Sequence, residues 1–69
     1  MLTASDEMRL PRWMRGKAPA MKEGCLAFLD GRSQGDNPYS PRQQTSRFRD
    51  WDNGWTSAEK WVPAASRKN

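Results

Sequence analysis

Gly24-Cys25-Leu26-Ala27, Gly31-Arg32-Ser33, Asn37-Pro38-Tyr39 and Trp51-Asp52-Asn53-Gly54-Trp55 follow one another through the middle of the chain. Two apolar-periodic runs flank a segment containing Pro and Gly, the pattern of two helices joined by a structured turn. Outside these runs Pro, Gly, Ser, Arg and Lys dominate, a composition that does not supply a packed core. The reading is an all-α fold. It places a two-helix hairpin, helix–turn–helix-shaped, over residues 20–62, a flexible basic arm over residues 1–19 and a short polar tail over residues 63–69.

The first helix is expected from Pro19 or Ala20 to Asp30. Pro19 suits a first helical turn, and Gly31 suits the left-handed position just past a helix end. At about 100° per residue, Met21, Cys25, Phe28 and Leu29 share one side, with Ala20, Gly24 and Ala27 in a narrow strip beside them. A glycine inside a helix costs roughly 1 kcal/mol against alanine, so Gly24 implies close approach of the second helix.

In the connection, Asn37 before Pro38 is driven out of the helical region, and Asp36-Asn37-Pro38-Tyr39 reads as a turn. Ser40 then stands as an N-cap, with Pro41 at the first helical position and Gln43 at the capping-box position. The second helix is expected from Pro41 to about Trp61, before Pro63. Phe48, Trp51, Trp55, Ala58 and Val62 form its apolar stripe; Arg42, Arg49, Asn53 and Lys60 fall in an arc on the opposite side. Trp51 and Trp55 share a face with Gly54 between them, which leaves room for another backbone. Trp61 lies about 100° off the stripe and is expected to be exposed.

Sixty-nine residues, 35% of them hydrophobic, make at most one small domain, near the lower size limit for folding alone. A homodimer or another protein partner would supplement so small a core. The net charge of +4 favours a polyanion, either nucleic acid or an anionic surface, against the alternative of an ordinary basic protein. No apolar run approaches the roughly 20 residues of a spanning helix. Asp6, Glu7, Arg9 and Arg12 interrupt any apolar leader. A cytoplasmic protein with no membrane partner is expected.

One cysteine and no histidine exclude an intramolecular disulfide, Cys/His zinc sites within one chain and histidine-based acid–base chemistry. Cys25, inside an apolar run, reads as a packing residue. Asp50, Asp52 and Glu59 share a helix with several arginines and read as a surface charge network. Gly31 to Gly35 has two glycines but lacks the lysine and spacing of a phosphate loop. The residues therefore indicate no catalytic group, metal or cofactor.

Candidate RNA contacts are Arg32, Tyr39, Arg42, Arg47 and Arg49, provided the connection folds against the start of the second helix. In the arm, Arg12 and Arg15, with Arg9 and Lys17, surround Trp13, a mixture suited to phosphates and an unstacked base. Solvated basic faces are the alternative in both places. Trp13 and Trp61 are also natural anchors for a protein partner.

The order Gly24, Ala27, Gly31-Arg32-Ser33, Pro38-Tyr39 and Trp51-x-x-Gly54-Trp55, with Phe48 in the same stripe, resembles the ribosome modulation factor family and its small CrpP-type relatives. The likeness covers about half the chain. It departs at Asn37, where ribosome modulation factors carry Cys, and in a longer interval from Tyr39 to Trp51. The resemblance implies a helix–turn–helix-shaped protein on the small ribosomal subunit near the messenger-binding region, contacting ribosomal RNA and modulating translation or hibernation. The CrpP-type relatives imply alternatives: a phage- or plasmid-type adaptor or inhibitor of another protein, or ATP-dependent modification of a fluoroquinolone.

Overall fold

The computed structural model describes residues 2–62, and the expected polar tail at residues 63–69 lies outside them. The described chain is all-α and contains no strand. Helix α1 spans Ala4–Arg9, α2 spans Pro19–Leu29 and α3 spans Thr45–Trp61, with 3₁₀ turns at Arg12–Met14 and Gln34–Asp36.

Helix α2 begins with Pro19 in its first turn, as the sequence indicates. At its far end Gly31 has φ of 83°, Gly31 N–H donates to the Phe28 carbonyl at 3.0 Å and Arg32 N–H to the Ala27 carbonyl at 2.9 Å. This is the paired-bond termination that a left-handed residue makes possible, and glycine reaches it without a Cβ penalty. Five consecutive residues, Gly24 to Phe28, are buried. A helix packed on one side only would show the 3.6-residue alternation instead. Here α3 covers one side of α2, and residues before Pro19 cover another.

The two long helices meet backbone to backbone. A Cβ at Gly24 would lie 1.9 Å from the Trp51 carbonyl oxygen, and one at Gly54 would lie 1.9 Å from the Met21 carbonyl oxygen. The glycines are reciprocal: each opens the notch that receives the other helix. Ala20 and Ala27 of α2 and Ala58 of α3 are small buried residues of the same two helices. Trp51 is 2% exposed. Trp55 lies partly buried beside it and meets Phe28 edge-to-face, with centroids 5.3 Å apart.

Residues 3–17 differ from the flexible arm expected of them. Thr3 caps α1, accepting from Asp6 N–H at 3.1 Å while its own N–H donates to the Asp6 carboxylate at 3.1 Å. None of the α1 residues is buried. It is attached through the Lys22–Glu7 ion pair at 3.0 Å, an Arg9–Asp30 pair, Leu2 packed against the core before it and the residues that follow it. Leu10 and Met14 enter the core cluster with Cys25, Leu26, Phe28, Ala58 and Val62. Met14 is fully buried. Pro11 and Gly16 interrupt any long helix, as the sequence indicates, but two apolar side chains four residues apart suffice to seat a short segment once a cavity awaits them.

The start of α3 is also later than expected. Ser40 does act as a cap, its hydroxyl accepting from the N–H of Arg42 at 3.2 Å and of Gln43 at 3.1 Å. The reciprocal bond comes from Gln44, whose side-chain oxygen accepts from Ser40 N–H at 3.3 Å, rather than from Gln43. The turn then breaks at Gln44, with φ −129° and ψ 50°, and α3 proper begins at Thr45. Thr45 contributes by turning its hydroxyl onto the Pro41 carbonyl at 3.0 Å, a local bond that competes with continuous helix. Helix α3 ends at Trp61, as expected, with Val62 as its cap.

Candidate nucleic-acid interface

The connection between α2 and α3 is ordered by side-chain bonds that run along α3. Trp55 Nε1–H donates to the Arg32 carbonyl at 2.9 Å. Gln34 Nε2 donates to Asp52 Oδ1 at 2.5 Å, and Asn37 Nδ2 donates to the Phe48 carbonyl at 3.0 Å. Asn37 Oδ1 also accepts from Tyr39 N–H at 3.0 Å, closing an Asx turn before the chain reaches Ser40. Ser33 and Asp36 form a capping box around the 3₁₀ turn. The connection thus folds back from Trp55 to Phe48, as the proposed gathering of Arg32, Tyr39, Arg42 and Arg49 requires.

The cations do not all gather on one face. Arg32 is exposed and lines a depression together with Asp6, Arg9, Glu23, Asp30 and Asp36. Arg47 lines a second depression with Glu7, Lys22, Glu23, Tyr39 and Asp50. Arg47 and Arg49 are two residues apart on a helix, about 200° around its axis, and therefore point to opposite sides. Arg42 belongs to the turn broken from α3 at Gln44, so helical periodicity no longer ties its direction to that of Arg49.

Tyr39 is half-buried, and its hydroxyl donates to Glu23 Oε1 at 2.6 Å. That bond, then burial and the Glu23 charge, raises the phenol pKa, while nearby Arg47 acts in the opposite direction. Its polar tip is committed to the framework. The Asp30 carboxylate likewise holds the Arg9 guanidinium above its ordinary pKa. Burial pushes the Cys25 thiol up to about 11, consistent with a packing residue rather than a reactive one.

A division of charge follows. Six carboxylates, Asp6, Glu7, Glu23, Asp30, Asp36 and Asp50, line the two depressions on the α1, α2 and connection side. Asp52 is bonded to Gln34. Arg12, Arg15, Lys17, Arg42, Arg49 and Lys60 line neither depression, are exposed, and form no ion pair among the described residues. Two indoles stand among these cations: Trp13 is 41% exposed and Trp61 is 64% exposed. Lys60 Nζ lies 5.3 Å from the Trp61 ring centroid. Lys60 thereby joins the surface more directly than Arg32 or Arg47 does; its place on the arc with Arg49 is the sequence signal that locates it.

The motif residues are accounted for by the framework. Gly24 and Gly54 permit the helix crossing, Gly31 terminates α2, Ser33 caps a turn, Trp51 fills the core and Trp55 ties down the Arg32 carbonyl. Pro38 follows the Asn37 turn, Ala27 is buried and Phe48 is partly buried. Among the described residues no group of three His, Cys, Asp or Glu is placed to hold a metal ion, and no helix is long and apolar enough to cross a membrane. Fold and surface together define a small basic all-α module. Comparison with family models, curated proteins and solved structures gives no match to this chain.

Proposed function

We propose that this protein binds RNA through its unneutralised basic surface and acts on the ribosome, at the small subunit, to modulate translation or hibernation. The observation that carries the reading is the division of charge. Six of the eight carboxylates line the two depressions, whereas Arg12, Arg15, Lys17, Arg42, Arg49 and Lys60 line neither and form no ion pair among the described residues. Such a surface attracts phosphates, and each neutralised phosphate releases condensed counterion. The ribosome as the source of that RNA rests on the ordered motif from Gly24 to Trp55 and its resemblance to ribosome modulation factors. A cytoplasmic location belongs to the same proposal.

Co-sedimentation of the purified protein with ribosomes across a salt series tests it. Association at low salt should fall steeply as salt rises. Arg42→Glu with Arg49→Glu should abolish it while far-UV circular dichroism stays unchanged, because both side chains are exposed. If the wild type does not sediment at low salt, or the double variant still does, the ribosome reading is wrong. A protein-adaptor role anchored at Trp61 then takes its place.

A further inference from the structure

We propose that the RNA is single-stranded and that Trp61 stacks one of its bases, with Trp13 as a second stacking surface; this rests on the RNA-binding reading above. Four observations carry it. First, Trp61 is rigidly presented: it closes α3, and the next residue, Val62, is buried in the core with its N–H bonded to the Ala58 carbonyl at 2.8 Å. The exposed indole is therefore mounted on a pinned turn rather than a loose end. Trp13 is mounted the same way, since Met14 immediately after it is fully buried.

Second, the two mounts converge. Met14 and Val62 belong to one core cluster, in which the α3 members Ala58 and Val62 come from the last turns of that helix. One core cluster thus holds the residue that follows each indole in the chain. Third, each indole is set among cations. Arg12 and Arg15 bracket Trp13, with Lys17 beyond. The Lys60 ammonium lies over the Trp61 ring and is placed to meet a phosphate next to a stacked base. Fourth, the outer arc of α3 leads from Arg49 through Asn53 to Lys60, about 16 Å along the helix axis. A backbone following the arc arrives at Trp61.

The chemistry selects the occupant. A flat indole beside a positive charge matches a ligand with exposed flat faces and a regular negative backbone. A duplex presents the backbone but keeps its base faces stacked inside, so it gains nothing from Trp61. A protein partner would favour a contiguous apolar patch, whereas here Arg12 and Arg15 bracket Trp13 in the chain and the Lys60 ammonium lies over the Trp61 ring.

The test uses the full chain with two probes of equal phosphate number, a labelled unstructured oligouridine and a duplex RNA, followed by fluorescence anisotropy at low salt. Oligouridine should bind more tightly and quench tryptophan emission. Trp61→Ala should weaken oligouridine binding about 5- to 100-fold and leave duplex binding within about twofold, because phosphate contacts alone carry the duplex. Trp61→Phe should restore most of the loss, with helicity unchanged in both variants. If Trp61→Ala leaves oligouridine binding intact while Arg42→Glu/Arg49→Glu abolishes binding of both RNAs, the stacking inference is wrong and the basic-surface reading stands. If neither RNA binds, both fail. Tighter binding to anionic phosphatidylglycerol vesicles than to oligouridine, lost in Trp61→Ala, would assign this surface to lipid and overturn the inference.

Discussion

Replacing Gly24 by Ala tests the helix crossing with the smallest available perturbation. The added Cβ would lie 1.9 Å from the Trp51 carbonyl oxygen, 2.8 Å from its carbon and 3.0 Å from the Trp55 nitrogen. All three are backbone atoms of α3, so no side-chain rotation relieves the clash. The shortest contact falls about 1.5 Å inside ordinary van der Waals separation, and the helices must part by a comparable distance. Gaps of 0.5–1 Å already forfeit a quarter to a half of each dispersion contact they open. Overpacking of this kind costs about 1–3 kcal/mol or more, while alanine's better helix propensity returns about 1 kcal/mol. With a backbone clash at the upper end of that range or beyond it, the net destabilisation is about 2 kcal/mol or more. A chain of 69 residues has only about 3–10 kcal/mol in total at typical per-residue stability. Tm should therefore drop by at least about 10 °C, measured by far-UV circular dichroism and tryptophan fluorescence. Gly54→Ala should behave alike, since its Cβ meets the Met21 carbonyl oxygen at the same 1.9 Å. The double variant should cost less than the sum of the two, because one separation relieves both clashes. A Gly24→Ala protein as stable as wild type, or a strictly additive double variant, would refute the crossing argument.

Three further outcomes are expected. Trp51→Ala should destabilise by about 3–5 kcal/mol, enough to unfold the module, whereas Trp61→Ala should change stability by less than about 0.5 kcal/mol in the same melts. Met14→Ala should cost about 2–5 kcal/mol by urea titration; a neutral result would restore residues 1–19 to the status of a dispensable arm. The Cys25 thiol rises from 9.0 to about 11 on folding, so the folded state favours the neutral form. Its contribution is complete below pH 9 and is lost as pH climbs towards 11, by up to about 2–3 kcal/mol. Cys25→Ala should flatten that part of the stability–pH curve, read by urea midpoints at successive pH values.

Where the controlling interaction lies within a few residues, the sequence carried it. Pro19 at the start of α2, the left-handed Gly31 after it, the Ser40 cap and the exposed Trp61 depend on local sterics and helical period alone. Gly24 and Gly54 were legible as well, because glycine inside a helix is unfavourable without a close neighbour to justify it. The start of α3 slipped from Pro41 to Thr45 because two local bonds, Gln44 to Ser40 N–H and the Thr45 hydroxyl to the Pro41 carbonyl, compete with helix. Composition and residue type name these groups but do not decide which of them wins.

The basic surface divides in the same way. Sequence period alone predicts Arg49 and Lys60 on one arc of α3 and Arg47 about 200° from Arg49. It does not indicate that Arg32 and Arg47 settle beside depressions lined by carboxylates, since those acids come from α1, α2, the connection and α3. Nor does it reveal Leu10 and Met14 as core. Their four-residue spacing is interrupted by Pro11, and their burial arises from packing with Cys25, Leu26 and Phe28 of α2 and with Ala58 and Val62 at the end of α3. Helix identity and caps were settled by neighbours along the chain. The seating of the N-terminal segment, and the separation of neutralised from unneutralised cations, were settled by residues distant in sequence, because burial and charge pairing depend on proximity in space.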